Sequence, residues 1–290
     1  MSGEPELSSL FLRLLKKSLL NDLHVENDAV LLAMLKASVH GTPISLESLV
    51  ELRRAPRFDE IEQAKDDGAI MGFARPLPGG GWQPVDLLDL SCLWHTMIGR
   101  KRLDNLESCL ERVVADGIPG DVIETGVWRG GATIFMRGFL AAHGVTDRIV
   151  WVADSFEGLP PPSLPQDAAI DFSQVRKDLS ISLDRVKALF ERYGLLDDRV
   201  RFLKGWFKDT LTDAPIARLA LLRLDGDLYE STMDALNALY GKVSAGGYVI
   251  IDDYFSCPPC AEAVRDYRRH HGVTDEIVVI DHQSVFWRKA

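Results

Sequence analysis

The chain has 290 residues, 46% of them apolar and 26% charged, and its 33 basic against 43 acidic side chains leave a net charge of −10. That composition excludes global disorder, collagen and coiled coil, and a chain of this length buries most of its surface in one large domain or in a domain with an appendage. The acidic balance makes it a poor general binder of polyanions, so no nucleic-acid partner is expected. No apolar run reaches the roughly 18 residues of a membrane span, so no membrane partner is expected. The start, Met1-Ser2-Gly3-Glu4-Pro5-Glu6, is acidic and lacks the basic stretch of a signal peptide. The 4 cysteines are too sparse for a disulfide scaffold. A cytoplasmic location is the expectation.

Along the chain, Leu7, Leu10, Phe11, Leu14 and Leu15 recur at helical spacing, with Arg13, Lys16 and Lys17 elsewhere on the wheel. The spacing predicts an amphipathic helix that buries this face. A second helix is expected from Ala29 to Val39. Residues 41–91 mix short helical patterns with a breaker, Arg75-Pro76-Leu77-Pro78-Gly79-Gly80-Gly81, which reads as an exposed loop. Two short basic clusters, Arg100-Lys101-Arg102 and Arg265, Arg268 and Arg269, read as solvated helix faces.

After Leu103 the pattern changes. A helix over Leu103–Val114 stops at Asp116-Gly117-Ile118-Pro119-Gly120. Strands are expected at Asp121–Thr125, Ile149–Ala153, Val200–Leu203, Leu219–Leu224 and Gly247–Asp252. Helices are expected over 131–142, 181–193, 231–240 and 260–271, with a proline-rich loop at 159–165. Ile277–Ile280 and Ser284–Trp287 should pair as a hairpin. The alternation predicts an α/β, Rossmann-like fold: a mostly parallel sheet, helices on both faces, one antiparallel terminal strand. Residues 1–100 would form a helical N-terminal lid and residues 101–290 the main domain.

The first strand of that domain runs into Glu124-Thr125-Gly126-Val127-Trp128-Arg129-Gly130-Gly131. Glycines such as Gly126 between strand and helix let the backbone approach a ligand closely. The spacing is not the Gly-x-Gly-x-x-Gly of dinucleotide folds. The Glu124 carboxylate would repel a pyrophosphate and suits a cationic ligand such as S-adenosylmethionine. A tight strand–helix turn is the plainer alternative. The next strand ends in Asp154-Ser155, where an acid commonly holds ribose hydroxyls, although an Asp there also serves as a turn or cap. Loop and acid together indicate a nucleoside-type cofactor without separating NAD from S-adenosylmethionine.

Asp225 and Asp227 end the fourth strand of the main domain, Asp252 and Asp253 the fifth. In an open parallel sheet all four lie at the ligand-binding carboxyl edge. Two apart on an extended chain, Asp225 and Asp227 would point the same way. Such crowding requires either protonation or a cation, and an all-oxygen donor set suits Mg²⁺ or Ca²⁺ over zinc. A hard ion acidifies a coordinated hydroxyl and a neighbouring carboxylate takes its proton. Loop caps are the bland alternative. Cys257-Pro258-Pro259-Cys260 has the Cys-x-x-Cys form of a redox pair or half a zinc site, and nothing else in the sequence supports either: Cys92 and Cys109 make no second pair, and His270 and His271 lie outside finger spacing. His95 reads as a core or lid histidine. Trp128, Trp151, Trp206 and Trp287 read as packing, and Trp206 is also kept as a cofactor-binding candidate.

Several motifs in order resemble one family. They are Thr96-Met97-Ile98-Gly99, Ile123–Gly131, Ala153-Asp154-Ser155-Phe156-Glu157-Gly158-Leu159-Pro160, Leu224-Asp225-Gly226-Asp227-Leu228-Tyr229-Glu230-Ser231 and Gly246–Tyr254. The chain resembles the macrocin O-methyltransferase family of antibiotic tailoring enzymes over roughly residues 90–290. The resemblance implies a seven-stranded class I methyltransferase fold, S-adenosylmethionine, Mg²⁺, and methylation of a deoxysugar hydroxyl on a glycosylated natural product. It implies metal ligands at Asp225, Asp252 and Asp253, a general base at Asp227, cofactor contacts at Thr96 and Met97, and a ribose acid at Asp154 beside Ser155. It also implies a homo-oligomer built partly through N-terminal helices. The stretch from about 30 to 90 departs from the family pattern, in a region that helps cover the acceptor in relatives. A nicotinamide oxidoreductase, a methyltransferase of phenolic hydroxyls and a non-catalytic nucleoside-binding protein are the rival readings.

Overall fold

The computed structural model describes residues 6–41, 43–54, 61, 65–66, 73–76, 82–85, 94–168 and 179–290. The chain divides into two compact units, Arg13–Lys101 and Met1–Leu12 with Arg102–Ala290.

The smaller unit holds most of α1 (Leu7–Leu19), then α2 (Val25–His40) and α3 (Leu46–Arg54). Ser45 starts α3 by accepting the Ser48 N–H at 3.0 Å, satisfying a donor the first turn leaves unpaired. The buried face of α1 is Leu12, Leu15 and Leu19, whereas Leu7, Leu10, Phe11 and Leu14 stay exposed. The expected burial is therefore corrected for Leu7, Leu10, Phe11 and Leu14 and holds for Leu15: the helix carries two apolar faces, and periodicity alone does not choose between them. Two strands, β1 (Phe73–Pro76) and β2 (Trp82–Val85), pair antiparallel with Phe73 opposite Val85 and Pro76 opposite Trp82. Arg75 and Pro76 thus belong to a strand, not to the exposed loop expected of them. Proline is tolerated there because a two-stranded sheet has only edges. Leu77–Gly81 of the expected loop, and Cys92, lie outside the described residues.

The larger unit begins on α4 (Gly99–Ala115), which starts in the smaller one. Then follow β3 (Asp121–Thr125), α5 (Gly131–Ala142), β4 (Val150–Asp154), α6 (Leu183–Arg192), β5 (Val200–Lys204), α7 (Phe207–Thr210) and β6 (Leu219–Leu224). After these come α8 (Tyr229–Leu239), β7 (Val243–Ile251), α9 (Pro258–His271), β8 (Val278–Val279) and β9 (Val285–Arg288). The seven strands lie in the order β5-β4-β3-β6-β7-β9-β8. The first five in space run parallel, and β9 pairs antiparallel with both β7 and β8, which is the expected terminal hairpin. Ile123, Leu222, Leu236, Val249, Val264 and Trp287 belong to a shared core. Helices on both faces explain why β6, Leu-Ala-Leu-Leu-Arg-Leu, is buried at every position. That strand includes Arg223, a charge that must find partners.

The parallel ladder continues past the strands. Gly126 N–H donates to Ala153 O at 2.8 Å, Asp225 N–H to Thr125 O at 2.9 Å, and Asp252 N–H to Leu224 O at 2.9 Å. This register brings Asp154, Gly126, Asp225 and Asp252 to one carboxyl rim. The rim includes the switch point between β3 and β6, where ligands bind in open α/β sheets. Among the described residues no helix is long and apolar enough to cross a membrane.

Candidate active site

The glycine loop is shaped by close approach. Gly126 has φ 87°, and a Cβ there would sit 1.7 Å from the Asp225 carbonyl oxygen. No other residue lets the turns after β3 and β6 meet. Among the described residues four non-glycines have positive φ, and three of them, Trp128, Phe156 and Asp227, lie in the turns after β3, β4 and β6. Strain gathered at one sheet edge marks that edge as functional.

Asp154 ties two of those turns together. Its Oδ2 accepts the Val127 N–H at 2.7 Å and its Oδ1 the Phe156 N–H at 2.6 Å. Burial raises its pKa, and the amides of Val127, Phe156 and Trp128 pull it back. Ser155 Oγ donates to Gly158 O at 2.7 Å and accepts the Glu157 N–H at 3.0 Å, bracing the same turn. Trp206, half-buried, starts α7, where its carbonyl accepts from Thr210 Oγ1 at 3.0 Å. Thr96 and Met97 belong to the smaller unit, Thr96 buried and Met97 half-buried. There the neighbouring His95 N–H donates to Leu19 O at 2.8 Å.

Arg223 organises the acids of the rim. Its guanidinium, 1% exposed, pairs with Glu124 and Asp252 and reaches Asp225 at 2.7 Å. Burial works against this charge; Asp252, Asp225 and Glu124 outweigh it and raise its pKa. Arg102 is also buried and pairs with Asp252 and, at 3.0 Å, with Asp281. Arg102 is therefore not part of a solvated helix face, because two carboxylates of the rim draw it in. Arg100, half-buried, pairs with Asp22 and Asp66 within the smaller unit. Asp281 is held in turn by the N–H groups of Gln283 and Ser284 at 2.8 and 2.9 Å.

Glu124, expected to face a cationic ligand, gives Oε1 to Arg223, while its buried Oε2 has no hydrogen-bond partner. Burial pushes its pKa up to about 8 despite Arg223. Burial and then Asp252 push Asp225 up to about 6, against the pull of Arg223. Burial and then Asp225 push Asp227 up to about 7. Asp253 is raised well above the usual carboxylate range by burial and then by Asp227.

The four aspartates crowd one rim but do not converge on one metal position. Asp227 has φ 56°, so the chain is not extended there, and Asp225 and Asp227 are not the parallel pair expected of them. Asp225, Asp252 and Asp253 bring ligand oxygens within 4.8 Å of one another, and Asp227, Asp253 and Cys257 form a second such group. Asp253 belongs to both, and its buried Oδ2 has no hydrogen-bond partner. The first group offers only carboxylate oxygens, and its member Asp253 carries the orphaned Oδ2, which fits a hard divalent cation such as Mg²⁺. Cys257 starts α9 and donates its thiol to Asp227 Oδ1 at 3.6 Å. Cys257 and Cys260 are free thiols, and burial pushes both upward in pKa, which disfavours the thiolate that a redox pair needs.

Sequence reasoning missed Arg223, Arg102, Asp281 and the contact of Cys257 with Asp227. Arg223 did carry a signal: it is the one charge in a six-residue apolar strand. Arg102 carried none, because its partners are far along the chain.

A doubly wound sheet with a glycine turn after its first parallel strand and acids along its carboxyl rim defines the class I, S-adenosylmethionine-dependent methyltransferases. The profile of the macrocin O-methyltransferase (TylF) family matches residues 8–289, and the chain belongs to that family. It is 56% identical over 207 residues to mycinamicin III 3''-O-methyltransferase of Micromonospora griseorubida, covering 70% of this chain and 81% of the relative. It is 59% identical over 197 residues to 8-demethyl-8-(2,3-dimethoxy-alpha-L-rhamnosyl)-tetracenomycin-C 4'-O-methyltransferase of Streptomyces olivaceus, covering 67% and 75%. The structure of the O-methyltransferase NovP superposes with a TM-score of 0.74 at 42% identity, covering 98% of this chain and 99% of that one. The chain is an S-adenosylmethionine-dependent O-methyltransferase. The nicotinamide and non-catalytic readings fall with that result.

Proposed function

We propose that this enzyme methylates a hydroxyl of a deoxysugar on a glycosylated natural product, with Mg²⁺ held by Asp225, Asp252 and Asp253. The observation that carries the metal is the all-oxygen group at the ends of β6 and β7 with its orphaned Asp253 Oδ2. The sugar acceptor is supported by the relative that acts on a rhamnosyl 4'-hydroxyl. When bound, the ion acidifies and orients the hydroxyl that takes the methyl group of the cofactor.

The chain's own residues divide the remaining work. Asp227 is the general base: its Oδ1 is occupied by the Cys257 thiol, which leaves Oδ2 for the hydroxyl proton. A pKa near 7 suits a carboxylate that must take a proton near neutrality and later lose it. Asp154 and Ser155 brace the ribose side, and Glu124 Oε2 is the free acceptor for the ammonium group. Gly126 admits the cofactor backbone and Trp206 flanks it, while cofactor contacts at Thr96 and Met97 remain what the family resemblance implies. The exposed stripe Leu7, Leu10, Phe11 and Leu14 supports self-association as a homo-oligomer.

The test is mass spectrometry of glycosylated acceptors incubated with enzyme, S-adenosylmethionine and Mg²⁺. A one-methylene mass gain should fragment with the sugar, vanish in EDTA and return with Mg²⁺. Gain on a phenolic ring, or equal activity in EDTA, overturns the proposal. Asp227→Asn should slow single-turnover transfer by about 10²–10⁴-fold with little change in acceptor binding. An unchanged rate removes the base assignment.

A further inference from the structure

Methyl transfer uses Asp227 as base, Asp253 as magnesium ligand and Cys257 as a thiol donor, but gives the three no role as a ligand group of their own. Asp227, Asp253 and Cys257 bring two oxygens and a sulfur within 4.8 Å of one another. We propose that these three side chains form a separate site for a thiophilic divalent cation of the zinc type, sharing Asp253 with the all-oxygen group. Three features converge on it. The Cys257 Sγ to Asp227 Oδ1 separation is 3.6 Å. Metal bonds of about 2.3 Å to sulfur and about 2.0 Å to oxygen, at a tetrahedral angle, place their ligand atoms about 3.5 Å apart. The hydrogen-bonded pair therefore already has the edge length of a tetrahedral site.

Asp253 is 7% exposed, and its buried Oδ2 lacks a hydrogen-bond partner. A buried acceptor left open is costly unless something fills it. The sulfur then decides which cation this second group takes. Mg²⁺ and Ca²⁺ take oxygen ligands, whereas thiolate selects zinc and its heavier analogues. Three protein ligands leave the fourth tetrahedral position to water. Binding forms an Sγ–metal bond as the thiol proton leaves to solvent, and both carboxylates bind ionised.

Occupation has a functional consequence that rests on the reading of Asp227 as the base. A cation on its carboxylate withdraws the proton acceptor, so zinc would inhibit an enzyme that magnesium supports. The binding itself does not depend on that reading.

The experiment is a Cd²⁺ titration of the purified full-length protein with excess Mg²⁺, followed by the thiolate-to-cadmium charge-transfer band in the ultraviolet. Wild type should show one saturating equivalent. Cys257→Ser should lose the band, and it should fold, because serine is a favoured residue at the start of a helix. Cys260→Ser should keep the band. Asp253→Asn should weaken binding by more than the roughly 10–100-fold typical of an outer-shell loss. No band in wild type, or a band that survives Cys257→Ser, overturns the site. In parallel, Zn²⁺ is titrated into a methyl-transfer assay. A band without inhibition upholds the site and overturns the role of Asp227 as base.

Discussion

In the smaller unit Asp22, Asp28 and Asp66 share Lys65 and Arg100; at the rim of the larger unit Glu124, Asp225, Asp252 and Asp281 share Arg102 and Arg223, with Asp227 and Asp253 grouped beside them. The first cluster is closed in charge: each of its three acids has a cation within 3.4 Å. Asp28 gives Oδ1 to Asn21 at 3.0 Å, and its Oδ2 meets both Trp94 Nε1 at 3.1 Å and Lys65 Nζ at 2.6 Å. Asp22 lies 3.4 Å from Lys65 and 2.9 Å from Arg100. The second cluster is open: cations are outnumbered three to one, and among the described residues Asp227 and Asp253 pair with neither arginine. A closed ionic cluster fixes a fold, whereas an open one keeps a standing affinity for a missing positive charge. The same residue types thus serve structure in one unit and chemistry in the other.

The sharpest way to break this comparison is Asp253→Asn. Among the described residues Asp253 makes no ion pair with either arginine, so its loss strands no guanidinium. Methyl transfer should fall on the order of 10³-fold. The melting temperature should hold, and calorimetric affinity for S-adenosylhomocysteine should change little. Asp252→Asn is the contrast. It takes one carboxylate partner from each of the buried Arg102 and Arg223, so activity and stability should fall together. If Asp253→Asn melted as early as Asp252→Asn, the rim would be an ordinary structural network.

The mirror experiment is Lys65→Met in the smaller unit. Lys65 is fully buried, and removing it leaves Asp22 and Asp28 short of one cation. The loss in urea unfolding should be about 3–5 kcal/mol. Below the melting range, kcat at saturating cofactor should be unchanged. Adding Asp28→Asn should restore part of the stability, since the stranded carboxylate is gone. A fall in kcat matching that of Asp253→Asn would remove the distinction between the clusters.

The open cluster was half legible in the sequence, and the closed one was not. Strand ends and turn glycines follow from local pattern, so Gly126, Asp154, Asp225 and Asp252 fall on one rim as expected. What decides the electrostatics is non-local. Arg102 meets Asp252 and Asp281 from 150 and 179 residues away. Asp227 turns away from Asp225 through a single positive φ, which residue type does not announce. On α1 both candidate faces are leucine-rich, so period alone placed Leu15 correctly and Leu7, Leu10, Phe11 and Leu14 on the wrong side.

The smallest effect expected, and the most specific, is a pH-dependent gain in stability on removing the base. Folding raises the Asp227 pKa from 3.8 to about 7, through burial first and the charge of Asp225 second. The folded protein therefore holds this proton more tightly than the unfolded chain does. Stability from that difference is complete below about pH 4 and is lost as pH rises through about 7. Asp227→Asn has no such proton to lose, and its amide oxygen still accepts the Cys257 thiol. In EDTA, the variant should match wild type near pH 4 and exceed it at pH 8. Because solvent still reaches the side chain, the gain is set at about 1–2 kcal/mol, below the full Coulombic value. Mg²⁺ should shrink the gap by stabilising the ionised rim of the wild type. Urea unfolding at the two pH values, with and without the ion, reads all four corners. A variant that is less stable than wild type at pH 8 in EDTA would mean that Asp227 is held by structure and not poised for a proton.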